Sequence, residues 1–307
     1  MKVGAIIITY NRKELLKGCI ESILSGTVVP DIIVVDNAST DGTEDLVRNY
    51  PVKYLRLDKN LGPAGGAEAG QKFAYSEGYD FVWMLDDDVI VSKDALLNLL
   101  TYYKILQKQY DKIILSSVTY GDLEFTKPFY NLLRYNPGTG ITKKIEDSEF
   151  SKEYFEYDIA PMNGLFLPRK VFDIVQFFNG KLFGWYDDTE FVLRCKRAGF
   201  KSFAITKSKI YHPIESRKQV KILGKTFTLL SGRPMRMYLG TRNNIIVQKK
   251  FLKPLNFYFL FLPAFIFKRF MSIILFYDDK WTFLKNFFRG IIDGLRNNLE
   301  VNFRGKF

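Results

Sequence analysis

The chain has 307 residues, with 45 Lys and Arg against 33 Asp and Glu, a formal charge of +12 and 16% aromatic residues. That balance invites an anionic partner, lipid or nucleic acid, but no nucleic-acid recognition module is visible, and the basic residues gather beside an aromatic stretch near the C-terminus, which favours a membrane surface. Cys19 and Cys195, both on expected helices, lack metal-ligand spacing and exclude a disulfide framework; with no internal repeat or low-complexity linker, one main domain with a smaller appendage is expected.

The first expected elements are two β-branched runs, Ala5-Ile6-Ile7-Ile8 and Ile32-Ile33-Val34-Val35. They end in polar segments, Thr9-Tyr10-Asn11-Arg12 and Asp36-Asn37-Ala38-Ser39-Thr40-Asp41-Gly42, and read as parallel strands feeding functional loops. Between them Leu15, Leu16, Cys19, Ile20, Ile23 and Leu24 repeat at helical spacing, with Asn11 and Glu14 placed as a capping box and Gly26 as the stop. A second helix is expected from near Asp41 to before Pro51, a third strand from Val52 to Leu57, and a third helix from Pro63 to Tyr79. A fourth strand, Phe81-Val82-Trp83-Met84-Leu85, completes the alternation of a doubly wound α/β sheet, in which ligands sit at the strand carboxyl ends.

That fourth strand runs into Asp86, Asp87 and Asp88. Carboxylate oxygens suit Mg²⁺ or Mn²⁺, and a metal held by one or two of them keeps positions open for a substrate's phosphates. The same acidic turn also suits a cap for the next helix, with Ser92 and Asp94 ahead of Ala95, Leu96, Leu99, Leu100 and Tyr103. No G-x-G-x-x-G follows the first strand and no G-x-x-x-x-G-K-[ST] occurs, so neither a dinucleotide fingerprint nor a P-loop is present.

Further along, Ile113-Ile114-Leu115 reads as a strand, Tyr120 to Ser151 as loops, and Met162 to Leu167 as a strand turning at Pro168 into a helix. Gly184-Trp185-Tyr186-Asp187-Asp188-Thr189-Glu190 opens a helix that stops at Gly199. Capping explains one of its carboxylates but not three beside an aromatic pair. His212, the only histidine, follows a strand expected at Phe203 to Thr206; taken alone it reads as a surface or structural residue. From about Glu215, basic residues (Arg217, Lys218, Lys221, Lys225, Arg233, Arg236, Arg242) accumulate ahead of the aromatic run Phe257 to Phe267. Pro263 and Lys268-Arg269 interrupt that run, which reads as too short to span a bilayer and better suited to an interfacial or buried segment. The N-terminal apolar run is short and is itself the first strand, so no signal peptide is expected.

Four segments taken together, Ile8-Thr9-Tyr10-Asn11-Arg12, Val35-Asp36 to Thr43, Asn60-Leu61-Gly62-Pro63-Ala64-Gly65-Gly66 and Leu85-Asp86-Asp87-Asp88, resemble the nucleotide-sugar domain of family 2 inverting glycosyltransferases. The resemblance implies an α/β fold of the GT-A, Rossmann-like type over residues 1–214, with a small, mainly helical C-terminal appendage over 215–307. It implies donor contacts from Thr9, Tyr10, Asn11, Arg12, Asp36, Asn60, Asp86 and Asp87, and from Arg242 in the Tyr238 to Asn244 segment. Asp188, the second acid of its pair, is implied as catalytic base, with Trp185, Tyr186, Asp187 and Glu190 on the acceptor side. His212 joins Asp86 and Asp88 as an implied ligand of Mn²⁺ (or Mg²⁺). The tandem Asp187-Asp188 with a nearby Trp is similar to bacterial galactofuranosyltransferases, which makes UDP-galactofuranose the expected donor and dTDP-rhamnose the alternative. The expected acceptor is a glycan or lipid-linked glycan of the cell surface, reached at the cytoplasmic face of the membrane. A non-catalytic glycan-binding or scaffold protein on the same fold is the alternative from another class.

Overall fold

Buried β-branched runs dominate the first hundred residues, and in the computed structural model, which describes residues 1–129, 132–213, 219–222, 225–228 and 233–300, they form the centre of a mixed sheet. Its strands in chain order are β1 Val3–Thr9, β2 Asp31–Asp36, β3 Val52–Arg56, β4 Phe81–Asp86, β5 Ile90–Val91, β6 Ile113–Tyr120, β7 Tyr154–Glu156, β8 Leu165–Pro168 and β9 Lys201–Tyr211. They lie in the order β3-β2-β1-β4-β8-β6-β9-β5, with β7 paired to β9. β1 to β4 pair in parallel as the alternation predicts. β8 then inserts antiparallel between β4 and β6, so the second half departs from a simple doubly wound order.

Helices α1 Lys13–Leu24, α2 Thr43–Val47, α3 Gly62–Ser76, α4 Ala95–Leu106, α5 Arg169–Val175 and α6 Asp187–Arg197 complete this unit. Two hydrophobic clusters cover the two faces of the sheet, because alternate residues of each strand point opposite ways: Ile6 and Ile8 belong to one cluster, Ala5 and Ile7 to the other. The capping box expected at Asn11 does not form. Asn11 takes a left-handed φ of 53° and α1 has no side-chain cap, because the Asn11 side chain is drawn instead to the loop after β2.

The Ala/Gly-rich start of α3 is a packing device. A Cβ at Gly70 would lie 2.6 Å from Ile6 Cγ2 and 2.9 Å from Val35 Cγ2, so only glycine lets the helix sit this close to β1 and β2. Gly70→Ala is therefore expected to destabilise the chain, overpacking of about 1–3 kcal/mol outweighing the roughly 1 kcal/mol gained in helix propensity. Gly240→Ala, where an added Cβ meets nothing within 4 Å, is expected to stabilise it. Urea denaturation of both variants checks the contrast.

By internal contacts the chain divides into two units, the second comprising Tyr135–Thr142, Lys181–Asp187 and Glu215–Phe307. Within the second, a two-stranded hairpin (Gln219–Ile222 with Lys225–Thr228) precedes helices α7 Pro234–Phe251, α8 Pro254–Phe276 and α9 Lys280–Leu295. Gly290 and Gly294 let α9 lie against α7, where a Cβ would meet Tyr238 O at 2.8 Å and Arg242 O at 2.9 Å. The expected boundary near Glu215, and Arg217 and Lys218, fall outside the described residues, as do the side chains of Lys221 and Lys225.

Candidate active site

The carboxyl ends of β1, β2 and β4 deliver three of the predicted loops to one edge of the sheet, since parallel neighbours end together. Thr9 Oγ1 donates to Asp87 Oδ2 at 2.8 Å, and the Arg12 guanidinium donates to Asp87 Oδ1 at 2.8 Å and Asp88 Oδ2 at 2.6 Å. Asp87 is 2% exposed with both oxygens engaged, so it anchors the first loop to the triplet instead of offering a free carboxylate to a donor. Burial pushes its carboxyl up to about 7, against the opposing pull of Arg12.

At the end of β2, Asp36 is fully buried and its oxygens accept from Ser39 N, Tyr54 Oη and Arg56 Nη1. Tyr54 and Arg56 lie on the neighbouring β3 and were not singled out by the sequence, in which nothing links them to Asp36 except the parallel register that sets Arg56 beside it. Burial and the Asp36 hydrogen bond raise Tyr54 to about 12. Asn11 N donates to Ser39 Oγ, and Asn11 Oδ1 accepts from Thr40 N at 2.7 Å, tying the first loop to the second. Tyr10 beside it is exposed. Asn60 Oδ1 accepts from Gly62 N at 2.8 Å, a local turn that starts α3.

His212 reaches this edge by a different route. β9 is longer than expected, and its last residues pair antiparallel with the short β5, Tyr211 opposite Ile90 and Ile210 opposite Val91. That pairing sets His212 beside the aspartates that immediately precede β5. His212 Nε2 lies 3.3 Å from Asp88 Oδ1 and 3.7 Å from Asp86 Oδ2, and one ligand atom from each of the three residues falls within 4.8 Å of the others. Asp88 Oδ1 is buried and accepts no hydrogen bond despite the nearby imidazole, a costly state for a carboxylate oxygen unless a cation completes it. Two carboxylates and an imidazole form a donor set that fits Mn²⁺ or Mg²⁺.

Burial first, and then the neighbouring Asp88 and Asp188, raise Asp86 to about 6 against the pull of His212 and Arg12. Metal binding requires the ionised form, so protonation of Asp86 weakens it as pH falls through about 6. Mn²⁺ affinity of the metal-free chain is expected to be weaker at pH 5 than at pH 7.5 by at least about tenfold, the factor that protonation of Asp86 alone contributes one unit below its pKa. Calorimetric titration at both pH values checks this, and equal affinities would remove Asp86 from the ligand set.

Asp188 stands in the first turn of α6. Its Oδ1 accepts from Thr189 N at 2.6 Å, and burial raises its pKa above the ordinary carboxylate range. Asp187 is 6% exposed and Glu190 3% exposed. Glu190 does not stand as an open acceptor contact: both its oxygens are 2.9 Å from Arg194 Nε, whose guanidinium also donates to Val175 O and Phe177 O. A buried carboxylate one helical turn from an arginine is drawn into that pair.

In the second unit, Phe183, Trp185 and Tyr186 all hold positive φ, of 69°, 60° and 65°, a strained run for bulky side chains. Asn243 Nδ2 holds it, facing Leu182 O, Gly184 O and Trp185 O at 2.7 to 2.9 Å. Arg242, expected at the donor phosphates, is fully buried instead and donates to Leu182 O. Its Nε donates to Asn243 Oδ1, and Nη1 is buried without a hydrogen bond, because α7 turns this face inward. Trp185 remains 38% exposed.

The Glycosyl transferase family 2 model matches residues 5–157. Over 89 residues the chain is 39% identical to galactofuranosyltransferase GlfT1 of Mycolicibacterium smegmatis, covering 28% of this chain and 30% of that enzyme. Over 255 residues it is 26% identical to dTDP-rhamnosyl transferase RfbF of Shigella flexneri, covering 82% of each. The chain therefore matches less than a third of the first relative's length and most of the second's. Among solved structures, GalNAc-T7 with UDP, GalNAc and Mn²⁺ superposes with a TM-score of 0.59 at 14% identity, covering 81% of this chain and 48% of that one. The family match, the relatives and the sheet agree: residues 5–157 form a glycosyltransferase family 2 domain, and the fold is GT-A.

Proposed function

We propose that the chain is a metal-dependent inverting glycosyltransferase that moves a sugar from a nucleoside diphosphate donor to a glycan or lipid-linked acceptor in cell-surface polysaccharide synthesis. The observation that carries this is the convergence of Asp86, Asp88 and His212 around an unsatisfied carboxylate oxygen at the carboxyl edge of a family 2 domain. Asp86, Asp88 and His212 would hold the cation, with Mn²⁺ favoured over Mg²⁺ because an imidazole is among the ligands. The bound cation supplies Lewis-acid neutralisation of the charge gathering on the departing diphosphate.

An inverting transfer is a single displacement at the anomeric carbon, so one carboxylate must accept the acceptor hydroxyl's proton as the diphosphate leaves from the opposite face. Asp188 has that role. Its raised pKa makes it a stronger base than an ordinary aspartate, and Thr189 fixes one oxygen while the other remains to take the proton. Arg12 acts at one remove, holding Asp88 Oδ2 and leaving Oδ1 as the oxygen that would be available to a cation. Trp185 offers an exposed ring for the apolar face of an acceptor sugar. Asn243 holds the strained backbone that leads into Asp187 and Asp188.

For the donor, similarity to GlfT1 and the tandem aspartates favour UDP-galactofuranose, while the longer match to RfbF supports dTDP-rhamnose as the second reading. A panel of nucleotide sugars incubated with the chain and Mn²⁺ tests both. Release of UDP from UDP-galactofuranose above all others is the expected result. Preference for dTDP-rhamnose would select the second reading, and absence of binding or turnover with every donor would leave a non-catalytic glycan-binding protein.

A further inference from the structure

We infer that α8 is an in-plane anchor, lying along the surface of an anionic bilayer with its outward face among the acyl chains, and that it does not cross the membrane. A surface helix of a soluble unit is ordinarily apolar on one stripe and polar on the other. α8 is apolar on both. Its inner seam, Phe257, Phe261, Phe265 and Ile273, packs into the core of the second unit, with Phe257 stacked on Phe261 and Phe261 on Phe265. Its outer face carries Leu255, Phe259, Leu260, Phe267 and Phe270, of which Phe259 is 74% and Phe267 69% exposed. Of its 23 residues only Phe257 and Ile273 are buried outright. The alternatives of an interfacial or an internally packed segment thus separate: one narrow seam packs against protein, and the remaining surface presents aromatic side chains to whatever lies outside.

Charge identifies the occupant as an anionic lipid surface. Residues 215–307 carry 18 Lys and Arg against 5 Asp and Glu, a net +13, so residues 1–214 are left with −1 and the whole positive excess lies in the segment bearing α8. Positive charge flanking an exposed aromatic face is complementary to acidic headgroups over acyl chains. α9 adds a second apolar strip, Trp281, Phe288 and Ile292, at helical offsets of seven and eleven residues that place them on one side; Trp281 is 84% exposed. Length alone would permit a span, since 23 residues reach about 35 Å. Two features argue against it. Lys268 and Arg269 lie two turns inside the C-terminal end, where a span would carry them into hydrocarbon. The inner seam packs against protein, leaving the opposite face for lipid, which is the geometry of a helix lying in the interface.

The test uses the full chain and vesicles of phosphatidylcholine with or without phosphatidylglycerol, free of any acceptor, so its outcome is independent of the glycosyltransferase reading. Wild type is expected to co-sediment with the phosphatidylglycerol vesicles, to release at high salt, and to be extracted from membranes by alkaline carbonate. The double variant Phe259→Asp with Phe267→Asp is expected to bind at least tenfold more weakly while retaining its Mn²⁺ affinity, which reports that the first unit is intact. Wild-type vesicle binding by that variant would overturn the proposal. So would extraction by detergent alone, the mark of a span, or a dimer dissociated by the variant with no vesicle binding, the mark of a protein interface.

Discussion

Replacing Asp188 with Asn is expected to lower kcat by about 10²-fold or more while leaving donor affinity near that of the wild type. The substitution is nearly isosteric, and its retained carbonyl oxygen still accepts from Thr189 N, so the first turn of α6 keeps its geometry. What is lost is the basic oxygen. Binding and single-turnover measurements separate the two effects. Normal turnover, or loss of donor binding instead of catalysis, would move the base to Asp187. Asp187→Asn is expected to cost less in kcat, because Asp187 is the more buried of the pair. Glu190 is a poorer alternative, held as it is by Arg194.

Exhaustive chelation is expected to abolish transfer, and added Mn²⁺ to restore it. His212→Ala is expected to weaken Mn²⁺ binding with the fold intact, because the imidazole is partly exposed and lies beyond the end of β9. Asp88→Asn is expected to do the same more severely, since it neutralises the one triplet oxygen that is buried without a hydrogen bond. Undiminished activity after chelation would sink the metal assignment. Wild-type metal affinity in His212→Ala would confine that residue to the structure, leaving Asp86 and Asp88 as a pair.

The four parallel strands and their loops were legible in the sequence because a strand buried on both faces must be continuously apolar, and its ligand-bearing end shows as an abrupt change to polar residues. Ile7 to Arg12 and Leu85 to Asp88 follow that rule, and the motifs they carry are local, so spacing along the chain was enough to find them. The helix over α6 and the glycine-rich start of α3 were legible for the same reason.

Only the tertiary structure decided the rest. His212 stands beside Asp86 and Asp88 because β9 runs back along the sheet to pair with β5, a contact between segments more than a hundred residues apart that no periodicity records. Arg56 meets Asp36 through the register of β2 with β3, and Asn11 turned from capping α1 to binding the second loop because Ser39 and Thr40 lie within reach. Burial likewise drew inward residues whose type suggested ligand contact: Arg242 donates to Leu182 O and Glu190 pairs with Arg194, while Phe259, Phe267 and Phe270 of α8, as apolar as any core, face outward. Sequence pattern determines which residues can be buried or charged; which face of an element meets a neighbour depends on long-range packing, and that choice separates a site residue from a structural one.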